Sequence, residues 1–494
     1  MRSQAFQRKF LVIIVLIAMV FSLISCAAPT APSDGQTMPV SEDNIPAETM
    51  PESTSEPIPE PEPIPEGFTG DIKNYVYRYE DGRDREWEED VLYLADRVLT
   101  FHPYMTEKSW IEDDKPHYSY DLYNPELRER FISEIDGLIL RLSDLEEYEI
   151  TYELQRILIL INDGHTRMSS FGDTGTCLFF PFIFREFYED GELTVYAVAV
   201  PTAESQLMYG KLTAINGIPM NEIITRLYAY NSGENDYWRN TSIVRWRLVD
   251  TDFLCVAGIM EYGDESAEFT FILDDGSEET VEIEAYPYSQ NRGRIMTINT
   301  FENKRVLANL HDDLNYWNTY LPEDNIVYIR YNSCHERSDL RYSDFWTGIM
   351  QDIRNAEEPP KVVFDLRDNG GGYSRQSGFK NFIAGINNVE IEALYILVNA
   401  GTFSAGINAA AELRQNANKA VIVGSPAGQH PNILGPASPQ ILPNSKYTFD
   451  LSDRLIVWWK DYEEETLMPD ILIHQTIDDY KEFTDTVLEA IKDM

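Results

Sequence analysis

Three short stretches of the chain carry residues that could do chemistry. The first is "NAGTFSAGINAAAEL", Asn399 to Leu413, which follows the apolar run "ALYILV". Ser404 stands where a strand-like run ends and a helix-like run begins. A hydroxyl there sits beside unpaired backbone N–H groups and the positive end of a helix dipole, so an oxyanion forming at that point would be stabilised. A serine at a helix start also reads as a plain N-cap. The second stretch is "DLRDNGGGY", Asp365 to Tyr373. Glycines after a strand let the backbone turn sharply and come close to a ligand, offering N–H groups to a phosphate or an oxyanion. No Gly-Lys-Ser/Thr follows and no GxGxxG is present, which argues against a nucleotide; an ordinary strand exit would have the same composition. The third is "NDGHTR", which puts His165 just past a helix. A serine nucleophile needs a base, and imidazole is the usual one, although a lone histidine equally reads as a surface or capping residue. No histidine pair has HExxH or another metal-ligand spacing, so zinc hydrolysis is not expected.

The chain that must position these residues has 494 residues, enough for about three domains. Its formal net charge of −43, from 83 acidic and 40 basic residues, argues against nucleic acid as a partner. Arg2, Arg8 and Lys9 precede the apolar run "FLVIIVLIAMVFSLI", and "LISC" closes it at Cys26. The run is short for a membrane span and resembles a bacterial lipoprotein signal, in which Cys26 is lipidated and becomes the mature N-terminus. The expected location is the extracytoplasmic face of the cell envelope, tethered to a membrane by lipid. With Cys26 so used, Cys177, Cys255 and Cys334 remain, an odd number without a CxxC pair and no disulfide framework.

Composition divides the rest. Residues 1–26 are the signal, and 27–66, ending "SEPIPEPEPIPEG", form a Pro/Glu-rich stalk that cannot bury a core. Residues 67–170 form a helical unit: "WEEDVLYLADRVLTFHP", "PELRERFISEIDGLILRL" and "YELQRILILINDGHTRM" each carry a helical apolar face. Residues 171–290 are β-rich, with a hairpin around Asp274-Asp275-Gly276 and "GKLTAINGIPMNEIITRLYAY" as strand, tight turn and helix. From 291 to 494 strands and helices alternate. "NIVYIRYN", "KVVFDLRDN", "ALYILVNA" and "AVIVGS" are apolar on both faces, which suits an α/β layered domain.

Taken in order, "DGHT", "INGIP", "VVFDLRDNGGG", "LVNAGTFSAG", "GSPAGQHPN", "LPNS" and "MPDILIHQTIDDY" resemble the tail-specific protease family, the C-terminal processing peptidases related to the core of tricorn protease, over about residues 85 to 490. The resemblance implies a crotonase/ClpP-like α/β catalytic domain, an N-terminal helical part and a small PDZ-like domain. It implies that Ser404 is the acyl nucleophile, and that Ala405 and the loop Gly370, Gly371 and Gly372 supply oxyanion-hole amides. Part of the family uses a lysine base from the loop that here reads "GSPAGQHPN", with Gln429 and His430 and no lysine; tricorn-like members use a histidine that matches His165, preceded by a serine where this chain has Gly164. His165 is therefore the first candidate base and His430 the second. The expected activity is a lipid-anchored serine endopeptidase acting on peptide or unfolded protein, without metal or cofactor. Two alternatives stay open: an inactive peptide-binding lipoprotein on the same scaffold, and a crotonase-like acyl-CoA enzyme, which export disfavours.

Overall fold

The computed structural model describes residues 67–107, 122–171, 178–291, 294–297, 306–373 and 378–494. The signal with Cys26, the stalk and Cys177 lie outside the described residues. Among the described residues no helix is long and apolar enough to cross a membrane.

Three helices open the folded part: α1 (Arg83–Phe101), α2 (Pro125–Ile139) and α3 (Glu147–Ile159). Local signals set their ends. Asn124 accepts the Leu127 N–H at the start of α2, with Pro125 in the first turn, and a capping box between Glu146 and Glu149 starts α3. Their apolar faces meet in one core, through Val91, Leu94, Phe131, Ile135, Leu154 and Ile157 among others.

The antiparallel region that follows contains β1 (Ile183–Glu189), β2 (Glu192–Pro201), β3 (Lys211–Ile215), β4 (Ser266–Ile272) and β5 (Glu278–Glu284). Strands β2, β3, β4 and β5 pair in that order. Strand β1 joins β2, and Ile295–Thr297 pairs on the same strand. Asn216 and Gly217 turn the chain with φ of 49° and 72° after β3, and α4 (Met220–Leu227) follows. Composition suggests little more helix here, but the structure inserts α5 (Asp236–Ser242), a π-helical turn (Ile243–Arg247) and α6 (Thr251–Val256) between α4 and β4. Asn235 and Asp250 cap α5 and α6. Ile243, Val244, Leu248, Phe253 and Leu254 bury themselves against the Phe-rich sheet face.

The third region is built on a six-stranded sheet. Its strands are β6 (Tyr316–Leu321), β7 (Ile326–Tyr331), β8 (Lys361–Asp365), β9 (Leu394–Val398), β10 (Ala420–Gly424) and β13 (Ile471–Leu472), in that spatial order. Strands β6 and β7 are antiparallel and the rest parallel. Helices α7 (Tyr342–Asn355), α8 (Phe379–Ile386) and α9 (Ala405–Asn416) link successive parallel strands. All three pack on one face, over Val362, Phe364, Leu394, Ile396 and Ile422. That is the outcome of strands laid down in sequence with crossovers of one hand. The other face, with Tyr328, Val363, Tyr395, Leu397 and Val423, is covered by α10 (Thr486–Asp493). Burial on both faces accounts for the unbroken apolar runs.

A long hairpin, β11 (Asn432–Ile441) and β12 (Thr448–Val457), leaves this sheet and ties it to the helical unit. Phe449, Leu451 and Leu442 enter the α1–α3 core, and Arg167–Met168 pairs with β12. At the hairpin tip, within the "LPNS" stretch, the amides of Asn444 and Ser445 donate to the buried Asp90 carboxylate of α1 at 2.7 and 2.8 Å. The segment after α3, which carries His165, is thereby fixed against the α/β sheet.

Candidate active site

Ser404 is the last residue of the short connection from β9 to α9. Its φ of 52° and ψ of −122° lie where a residue with a side chain seldom goes. Its side chain makes no capping bond to α9, so the N-cap reading does not hold. Instead Oγ lies 3.0 Å from His165 Nε2. The bend is held from the backbone: Ser404 N–H donates to Gln429 Oε1 at 2.8 Å, and the carbonyl accepts the Asn408 N–H at 3.2 Å.

The glycine loop packs directly on the serine. Gly371 has φ 106°, and a Cβ there would sit 2.7 Å from Ser404 Cβ and 3.0 Å from the Ala405 nitrogen. Asn369, fully buried, shapes this loop. Its Nδ2 donates to the Tyr331 carbonyl (2.7 Å), its Oδ1 accepts the Gly371 N–H (2.9 Å), and its carbonyl accepts the Phe403 N–H (2.9 Å). The Gly371 amide is therefore committed inside the loop. Ala405, the first residue of α9, is among those whose N–H has no intrahelical acceptor. Gly370 is exposed with open space on its Cβ side, while Gly372 faces His335.

Behind the loop, ion pairs anchor the strand end. Asp365 is bonded to Arg330 and Arg367, and Arg367 also to Asp485. Asp368 is paired with Arg245, which reaches across from the π-helical turn and also binds Glu186 of β1. Arg330 from within the sheet and Arg245 from the β-rich region thus pin the start of the glycine loop from two sides.

His165 reaches the serine from the loop after α3. Its backbone N–H donates to Asp163 Oδ1 at 2.9 Å, and its ring Nδ1 lies 3.4 Å from Gln429 Nε2. Gly435 flanks the Nδ1 side of the ring, where a Cβ would lie 3.9 Å away. With its proton on Nδ1, the imidazole leaves Nε2 to accept the Ser404 proton. Burial lowers the pKa of His165, with the Asp163 charge opposing. For Asp163, burial favours the neutral acid, but the His102 hydrogen bond and charge, with His165, outweigh it and hold the carboxyl at about 2. The His165 ring also leans on Phe403, which stacks on Trp238 with ring centres 4.2 Å apart. A Cβ at Gly164 would meet Phe403 at 2.7 Å, so this aromatic wall leaves no room for a serine there.

The structure brings Ser404, His165, Gly371 and Ala405 together and keeps His430 in its own loop. His430 Nδ1 accepts the Asn432 N–H at 2.8 Å, and the ring packs edge-on against Tyr462. His430 also lines a cleft of about 340 Å³ with Tyr104, Asn162, Glu234, Asn432, Leu434 and Leu455. From the same loop it is Gln429 that touches the serine. Sequence reasoning assigned no role to Gln429, Asn369 or Glu234. Of these, Gln429 and Asn369 lie inside motifs with a chemical reading of their own, while Glu234 carries no signal.

One oxygen each of Asp163 and Glu234 and one ring nitrogen of His165 lie within 4.8 Å of one another, among the described residues a spacing that could hold a cation. These groups are already bonded to Thr166, Gln429 and Ser404, which leaves the cluster explained without an ion. Cys255 and Cys334 are buried thiols outside any disulfide, and burial pushes Cys255 up to about 12.

No family model and no curated protein matches the chain. Solved structures do. Mature CPAF complexed with lactacystin aligns with TM-score 0.55 at 11% identity, over 83% of this chain and 98% of that one. Mature CPAF aligns with TM-score 0.54 at 12% identity, over 83% and 96%. The photosystem II D1 C-terminal processing protease aligns over 82% and 96% at 12% identity, with TM-score 0.37. At these identities the likeness to CPAF is one of fold.

Proposed function

We propose that the chain is a serine peptidase of the tail-specific protease type, acting on peptide or unfolded protein through an acyl-enzyme on Ser404. The observation that carries this reading is the 3.0 Å approach of His165 Nε2 to Ser404 Oγ at a strained strand-to-helix step. His165 takes the serine proton as Oγ attacks the carbonyl carbon, then returns it to the leaving amine; water enters and releases the acid by the same route. The Ala405 amide, with one from Gly370 or Gly372, stabilises the oxyanion. In this reading the six-stranded region is the crotonase/ClpP-like catalytic domain, and the β-rich region is PDZ-like.

The fold shared with CPAF supports it. An inactive binding protein would have no reason to keep a strained serine against an imidazole nitrogen. Lipid attachment at Cys26 and an extracytoplasmic location belong to the same proposal and rest on the N-terminal sequence. A serine-directed fluorophosphonate tests the central step: an adduct on Ser404 supports it, and an unlabelled, folded protein contradicts it.

A further inference from the structure

Glu234 lies in the short loop before α5, in the β-rich half of the chain. Asn235, the cap of α5, donates from Nδ2 to the Gly428 carbonyl at 3.0 Å and so draws this loop onto the "GSPAGQHPN" segment. Glu234 Oε1 then accepts from Gln429 Nε2 at 2.6 Å. Gln429 Nε2 also lies 3.4 Å from His165 Nδ1. Gln429 in turn accepts the Ser404 N–H through its other end.

An amide side chain has one donating and one accepting end, and Glu234 Oε1 takes the donating end of Gln429. Glu234 therefore fixes which way Gln429 points. With the amide reversed, its NH₂ would meet the Ser404 N–H, two donors face to face. The strained backbone of Ser404 thus depends on a residue from another region. Gly164, which packs beside the same carboxyl, immediately precedes His165.

We propose that Glu234 is a positioning residue for the Ser404–His165 pair, setting both through Gln429, which accepts the Ser404 N–H and lies 3.4 Å from His165 Nδ1. This rests on the peptidase reading and adds to it a member drawn from the β-rich region, so the site is complete only when that region is docked.

The groups facing Glu234 are Asp163 and His165 from the loop after α3, Tyr104 from the segment after α1, and His430 and Gln429 from the loop after β10. Burial first, and the Asp163 charge next, raise Glu234 to about 8, against the hydrogen bonds from Gln429, His430 and Gly164. Its ionisation on the alkaline side adds a negative charge near His165, which favours the imidazolium formed during proton transfer. Turnover in the native protein should therefore rise again near pH 8, above the limb set by His165.

The test measures kcat and KM for a quenched-fluorescent unfolded polypeptide between about pH 5 and 9.5, with the native chain, E234Q, E234A and S404A, each checked for folding by thermal unfolding. E234A should lose about 100-fold in kcat with KM within about threefold, the signature of misplaced reacting groups. E234Q, which still offers an accepting oxygen, should recover most of kcat near neutrality and lose the rise near pH 8. If E234A does not fold, the E234Q profile decides alone. An E234Q profile that keeps the rise, or a folded E234A with native kcat, overturns the role of Glu234 while leaving the peptidase reading intact. A native chain no faster than S404A overturns both.

Discussion

His165 Nε2 and Ser404 Oγ lie 3.0 Å apart although 239 positions separate them in the chain. The helical unit brings one and the α/β sheet the other, and the hairpin β11–β12 holds the two regions in register. The contact therefore depends on tertiary packing, and changes that crowd it should act on turnover first.

Gly371 is the sharpest such case. An alanine there would place Cβ 2.7 Å from Ser404 Cβ at φ 106°. G371A should lower kcat by about 100-fold or more and cost about 1–3 kcal/mol in stability. Gly370 has open space and no positive φ, so G370A should stay close to native in both. Urea unfolding and steady-state kinetics on the two variants check this, and equal effects would contradict the packing described.

The base should be visible in the pH profile. His165 must be neutral to accept the serine proton, and its burial lowers its pKa from the usual 6.5. As pH falls through a value below 6.5, kcat/KM should fall with it. H430A should keep this limb and stay within a few-fold of native activity. H165A should lose about 10⁴-fold. Loss of the limb in H430A would move the base to the other loop.

Much of this architecture is legible in the sequence because its signals are local. The runs at β7, β8, β9 and β10 are apolar on both faces, and Asn216-Gly217 announces its turn. Ser404, His165 and the glycines are chemically distinctive residues at element ends. What stays hidden is set by packing across regions. Glu234 in "NSGEND" has the composition of a surface turn, and only the docking of that loop brings its carboxyl onto Gln429. Gln429 itself reads as a missing lysine, yet its amide is what holds the serine backbone. Gly164 reads as a missing serine, and the reason is the Phe403 ring against it. The helices between α4 and β4 are obscured because their apolar residues are irregularly spaced around a π-helical turn.

The N-terminal segment makes its own prediction. The proposed lipidation at Cys26 rests on Arg2, Arg8, Lys9, the apolar run and "LISC". C26S should release the protein from membranes on fractionation or leave it with its signal uncleaved. A C26S protein that still fractionates as mature and membrane-bound would rule this out.

The central claim is that Ser404 is a nucleophile activated by His165, and intact-mass analysis after fluorophosphonate treatment tests it most directly. The account predicts one adduct on the native chain, located at Ser404 by peptide mapping, none on S404A, and labelling slowed by orders of magnitude on folded H165A. A native chain that stays unlabelled, or an S404A chain that labels equally, would contradict it.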